Sequence, residues 1–109
     1  MALTYKNARA AVGTSYATVY TCPAATTAIV LAAQAVNVDG AASADVSAQW
    51  LDDSAADVAT RIAETMAVPA YNAINLLAGP VVLEANDQFQ AKASASGDIE
   101  LTLAISEIT

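Results

Sequence analysis

The stretch from Ile99 to Ser106 constrains the fold more than any other part of the chain. Ile99, Leu101, Leu103 and Ile105 alternate with Glu100, Thr102, Ala104 and Ser106. Successive side chains of a strand leave opposite faces, so this stretch has one apolar and one wet face. A one-residue slip would place all four large aliphatics in water, which fixes the register of any pairing. A chain with such a segment close to Thr109 is expected to carry its C-terminus inside a sheet.

The region from Thr26 to Asp53 supplies the second constraint. Val46, Ala48 and Trp50 share one parity, while Asp45, Ser47 and Gln49 share the other. Upstream, Ile29 to Val38 begins as a continuous apolar run, the pattern of a strand covered on both faces near the middle of a sheet. Asp39-Gly40 lies between the two segments and suits a turn, so the region reads as a hairpin. Trp50, the single tryptophan, is the expected anchor of the core.

Shorter strands fill the rest. Tyr16 to Thr21 has strand composition and is stopped by Pro23, which offers no N–H to a ladder. Ile74 to Leu77 and Val81 to Glu84 are brief apolar runs closed by Gly79-Pro80 and Asn86-Asp87. Phe89, Ala91 and Ala93 alternate with Gln88, Gln90, Lys92 and Ser94. Residues 58–68 fit either period. Val58, Ile62 and Met66 are four apart, as in a helix, yet they share parity with Thr60, Glu64 and Val68, as in a strand. The neighbouring strands at short regular spacing favour the strand. About eight strands punctuated by turns imply an all-β fold, an antiparallel β-sandwich of jelly-roll or immunoglobulin-like kind. Residues 1–15 form an N-terminal arm or first strand, and 16–109 a single sandwich domain.

Composition limits what this sandwich can bury. Alanine accounts for 28 of 109 residues, and Val, Ile, Leu and Phe together for 25. Burying one of the larger side chains is worth roughly 1.5–3 kcal/mol and an alanine far less, so the core is thin and association is favoured. The net charge of −7 comes from eleven acids against four bases. Lys6, Arg9, Arg61 and Lys92 are scattered, which argues against nucleic acid as a partner. The single cysteine, Cys22, cannot close an internal disulfide and suits a reducing compartment. No apolar run approaches the ~20 residues of a membrane span, and no signal-peptide pattern opens the chain, so neither membrane nor export is expected.

Three segments resemble a known group. VYTCPAATTAIVLAAQAVNVDG, ADVSAQWLDDSA and VVLEANDQFQAKASASGDIELTLAISEI are similar to small β-sandwich virion structural proteins of tailed bacteriophages. The resemblance runs over roughly residues 17–108 and rests on turn residues and core positions. It implies a non-enzymatic β-sandwich protein of the virion, made in the host cytoplasm, that decorates or joins parts of the particle; capsid decoration, or cement, is the first expectation. A neck or tail component, as a ring or short fibre adaptor, is the alternative place on the particle. The partners implied are copies of the same chain and the major capsid or neck and tail proteins. The resemblance brings no catalytic residue and no cofactor. A carbohydrate-binding module for host attachment is a reading from a different class, and it needs exposed aromatics.

Asp52, Asp53 and Asp57, with Ser54, offer the oxygen ligands that Ca²⁺ takes, but they lack the D-x-D-x-D-G register, and turn chemistry explains them without a metal. Glu84 and Asp87 flank a turn, where an acid–base pair would need a cleft between them. Cys22 has no histidine to activate it and reads as a small buried residue. The interface candidates are Leu3, Tyr5, Lys6 and Arg9 in the N-terminal segment, together with Tyr16 and Tyr71. Lys6 and Arg9 are half of the positive charge in the chain.

Overall fold

The computed structural model describes all residues from Met1 to Thr109. Nine strands follow one another: β1 (Leu3–Ala11), β2 (Ala17–Thr21), β3 (Thr27–Asn37), β4 (Ala44–Asp52), β5 (Val58–Val68), β6 (Ala73–Asn75), β7 (Val81–Leu83), β8 (Gln88–Ala93) and β9 (Ile99–Ile108). A single 3-10 turn, Asp53–Ala55, joins β4 to β5. The protein is an all-β sandwich of two antiparallel sheets. The first sheet has the order β1-β9-β3-β6, with β7 also on β3, and the second has the order β2-β8-β4-β5.

This order is that of a jelly roll. Strands pair from the outside inwards as β1 with β9, β2 with β8, β3 with β6 and β7, and β4 with β5. The chain is thus one long antiparallel ribbon, rolled so that alternate pairs fall in alternate sheets. Contacts of β3 with β9 and β4 with β8 close each sheet. The short runs at 74–77 and 81–84 are two pieces of one interrupted edge strand. Residues 58–68 are a strand, as the spacing of their neighbours suggested.

The region 26–53 is not a hairpin. β3 and β4 lie in different sheets, and residues 38–43 cross between them. Asn37 enforces the crossing: its side-chain amide donates to the Ala42 and Val68 carbonyls at 2.9 and 3.0 Å, and its Oδ1 accepts from the Asp39 N–H at 2.9 Å. Alternation reports which face a residue takes but not which strand pairs with which, and the polar pin at Asn37 decides that here. Gly40 serves this crossing because the Tyr71 ring lies against it, and a Cβ there would collide with the ring.

The core lies between the sheets. Ala28, Val30, Ala33 and Ala35 of β3, Leu101, Leu103 and Ile105 of β9, and Val46, Ala48, Phe89 and Ala91 of the second sheet are buried in it. β3 is buried on one face only, contrary to its continuous apolar run. A register shift between Val30 and Ala32 turns Leu31 outward, 45% exposed. The apolar run conceals a bulge, which permits consecutive hydrophobics without two covered faces. Phe89 is the largest fully buried side chain, whereas Trp50 packs against the core from its margin, directly across from Phe89. Trp50 has the expected parity but sits near the end of β4, where the sheet runs out.

Candidate functional site: the outer face of the first sheet

β1 pairs with β9 at nine successive positions from Leu3↔Ile108 to Ala11↔Glu100, without a shift. The N-terminal segment is therefore an edge strand and not a detached arm. Its outward parity holds Leu3, Tyr5, Asn7, Arg9 and Ala11, and its inward parity holds Thr4, Lys6, Ala8 and Ala10. Cross-strand neighbours continue the outward row: Tyr5 faces Ser106, Ser106 faces Ile29, and Ile29 faces Val82. Leu3 (56%), Tyr5 (72%), Val82 (54%) and the bulged Leu31 are exposed on this face. Ser106 is buried between its larger neighbours, though its position in the sequence reads as wet. The strand residues that the register gathers at the Leu3 end of this face, Leu3, Tyr5, Ile108, Ser106, Ile29 and Val82, are all uncharged, in a protein of net charge −7. Exposed apolar residues gathered on one sheet face make it the candidate contact surface of the molecule.

A polar clamp holds β1 from the inward side. Glu107, 6% exposed, accepts a hydrogen bond from the Tyr20 hydroxyl at 2.5 Å and pairs with Lys6 Nζ at 3.1 Å. Tyr20 belongs to the second sheet, so the clamp links β1 and β9 to β2. The Tyr20 hydrogen bond, helped by the Lys6 charge and opposed by burial, holds the Glu107 carboxyl below its ordinary value. Burial, and then the bond to Glu107, raises the Tyr20 hydroxyl above its own. Nothing in the sequence marks Glu107, whose parity only continues the row of Ile105 at the end of the strand. Cys22 is fully buried beside this clamp, and burial raises its thiol as well.

The remaining candidates lie elsewhere. Tyr16 precedes β2 and is no free anchor. Arg61 and Lys92 stand over its ring at 5.3 and 4.8 Å from the centroid, and its hydroxyl oxygen is buried without a partner. Arg61 also reaches Gln49 and Glu64, and Gln49 donates to Gln90 at 2.7 Å. This ladder covers the outer face of the second sheet, which is why Gln49 and Ser47 are buried despite their wet parity. Tyr71, at the opposite end of the sandwich from Leu3, is 77% exposed. Its backbone has φ 58°, in the left-handed region.

Among the carboxylates, the structure gathers Asp52 with Glu84 and Asp87, their oxygens within 4.8 Å of one another. Asp53 and Asp57 are not part of this group, contrary to the set read from the sequence. Asp53 opens the 3-10 turn and Asp57 lies just beyond it, whereas the rolled ribbon brings the turn after β7 to the end of β4. Asp87 is buried and accepts from the Asp53 and Glu84 N–H groups, each at 2.9 Å. Asp52 accepts from the Ser54 N–H and hydroxyl at 3.1 and 2.6 Å. Asp87 thus laces two turns together, and these bonds account for the cluster as turn chemistry.

No family model matches this chain, and no curated protein matches it.

Proposed function

We propose that this protein is a non-enzymatic structural component of a tailed-phage virion that works as a capsid decoration, or cement, protein. The observation that carries this reading is the row of apolar side chains on the outer face of the first sheet, with Leu3, Tyr5, Leu31 and Val82 exposed. Such a face suits permanent burial against a shell subunit, where apolar contact resists internal pressure without desolvating carboxylates. The segments similar to small phage virion proteins supply the particle context. The jelly-roll order is compatible with it by fold analogy alone, since the same order serves capsid and lectin domains.

Copy number in purified particles tests the proposal. Hundreds of copies, and shells that break at lower temperature or lower osmotic stress when the gene is deleted, are the expected result. Six or twelve copies would reassign the protein to the neck or tail. Absence from the particle, with glycan binding by the isolated chain, would replace the structural reading by an attachment module in which Tyr71 is the first aromatic to substitute.

A further inference from the structure

The two sheets have four edges, and three of them are blunted. β2 has five residues and a register shift between Thr18 and Tyr20. β5 is longer but has two register shifts against β4, and Thr65 within it has φ 51°. The edge opposite β1 is broken into β6 and β7, of three residues each. β1 alone is long, unshifted and free of proline, with one side of its backbone unpaired. An edge of this kind is a template for another strand, and folded proteins ordinarily shorten, bulge or cover it.

The hydrogen-bond phase of β1 shows which groups are free. Ala2 and Thr109 exchange both N–H···O bonds, at 3.1 and 3.0 Å, and Val12 donates to Ile99 at 2.9 Å. Bonded positions alternate in an antiparallel ladder, so the even residues of β1 are committed to β9. Leu3, Tyr5, Asn7, Arg9 and Ala11 therefore present their N–H and C=O groups to the open side.

We propose that β1 pairs antiparallel with β1 of a second copy of this chain, about a two-fold axis at Asn7. This register sets Leu3 against the partner's Ala11, Tyr5 against the partner's Arg9, and Asn7 against its own counterpart. All five free positions become bonded pairs, giving roughly ten interchain backbone hydrogen bonds. Overlap and charge together select this register from its neighbours: an axis at Ala8 would leave Leu3 opposite Gly13, beyond the strand. An axis at Lys6 or at Arg9 would put like charges directly opposite each other, which is destabilising. With the axis at Asn7, Lys6 faces alanine and keeps its own Glu107, while Arg9 meets an exposed tyrosine ring, a favourable cation–π pair. The product is a continuous sheet through both copies, and their apolar rows look out on the same side. One strand pair makes a small interface, of the weak and transient class, so a shell that holds copies close together would strengthen it. The pairing stands independently of the particle assignment, since it is tested on the isolated chain.

Sedimentation of the purified protein up to on the order of 1 mM chain should show a reversible monomer–dimer equilibrium. Asn7→Pro should abolish it, because proline removes an N–H at the centre of the contact and none that β9 uses. Its melting temperature and circular dichroism should stay those of the parent. Asn7→Cys should form a disulfide-linked dimer on mild oxidation, since paired Cα atoms at ~5.5 Å suit that bond. Arg9→Cys, four residues out of register with itself, should form far less. This second pair of variants decides the question even if the proline variant fails to fold, and the buried Cys22 does not compete. A chain that stays monomeric, a dimer that survives Asn7→Pro, or equal cross-linking at both positions would overturn the pairing. The last two results would place the contact on another surface.

Discussion

β1 and β9 lie side by side in perfect register, and they could hardly differ more in burial. Ile99, Leu101, Leu103 and Ile105 are all essentially inaccessible, whereas seven of the nine residues of β1 are exposed. Both strands have the same pleat and the same inward face. What separates them is lateral position: β9 lies between β1 and β3 with the second sheet beneath it, while β1 overhangs the margin. The inward residues of β1 match that position, since Thr4, Lys6, Ala8 and Ala10 are small or carry their own polar end. A strand's pattern tells which way it faces, and its place in the sheet tells whether anything covers that face.

The largest expected effect probes this contrast directly. Leu103→Ala should destabilise the fold by about 2–5 kcal/mol, as a core truncation that leaves a cavity. Leu3→Ala, the same chemical change on the neighbouring strand, should stay within about 0.5 kcal/mol in the monomer. Urea denaturation of the two variants measures both. Equal losses would mean that β1 is packed as tightly as β9 and that its edge is not open.

Tyr20→Phe asks how strongly the second sheet holds the pair. It removes one hydroxyl and leaves a carboxylate in a nearly water-free site with one fewer donor. A charge-assisted bond of this sort is worth roughly 1.5–3 kcal/mol, so the loss should fall between the two leucine variants. A loss confined to exchange protection of the β1 and β9 amides, with the global midpoint unchanged, would show instead that the clamp fastens only the margin.

Much of this architecture was legible in the residues. The alternations at 88–94 and 99–106 carried the strands, their inward faces and the all-β class, because burial of one face leaves a period of two in the sequence. Pairing was less legible. The β3–β4 connection looked like a hairpin because Asp39-Gly40 can turn a chain either within a sheet or across two. The deciding bonds of Asn37 reach Val68, thirty-one positions away. The sequence points to Trp50 for the place that Phe89 fills, because size can be read from sequence but distance from a sheet's end cannot. The carboxylate group was half legible: Asp52 was foreseen, but Glu84 and Asp87 join it only through the roll of the ribbon. The edge and face of β1 were visible only as a weakly patterned segment rich in positive charge. That weakness is itself informative, since an uncovered strand is under no pressure to alternate.

Lys6→Met gives the smallest effect and sharpens the comparison by pH. Lys6 is half exposed, so its pair with Glu107 is partly screened by water and should contribute only ~0–1 kcal/mol at neutral pH. Methionine keeps the apolar stem and discards the charge. Glu107 is held below its ordinary value in the folded protein. Its contribution is therefore complete above the unfolded value of about 4.3 and is lost as pH falls through the lower folded value. Without Lys6 the Glu107 carboxyl is held less far down, so the variant gains less from ionisation. The stability difference between parent and variant should be greatest at neutral pH, shrink below about pH 4, and vanish once Glu107 is protonated in both. Parallel denaturant midpoints from pH 7 to pH 3 give the measurement. A difference that persists unchanged in acid would separate the effect of the substitution from the ionisation of Glu107, and the Lys6–Glu107 pair would then play no part in holding the open strand to the closed one.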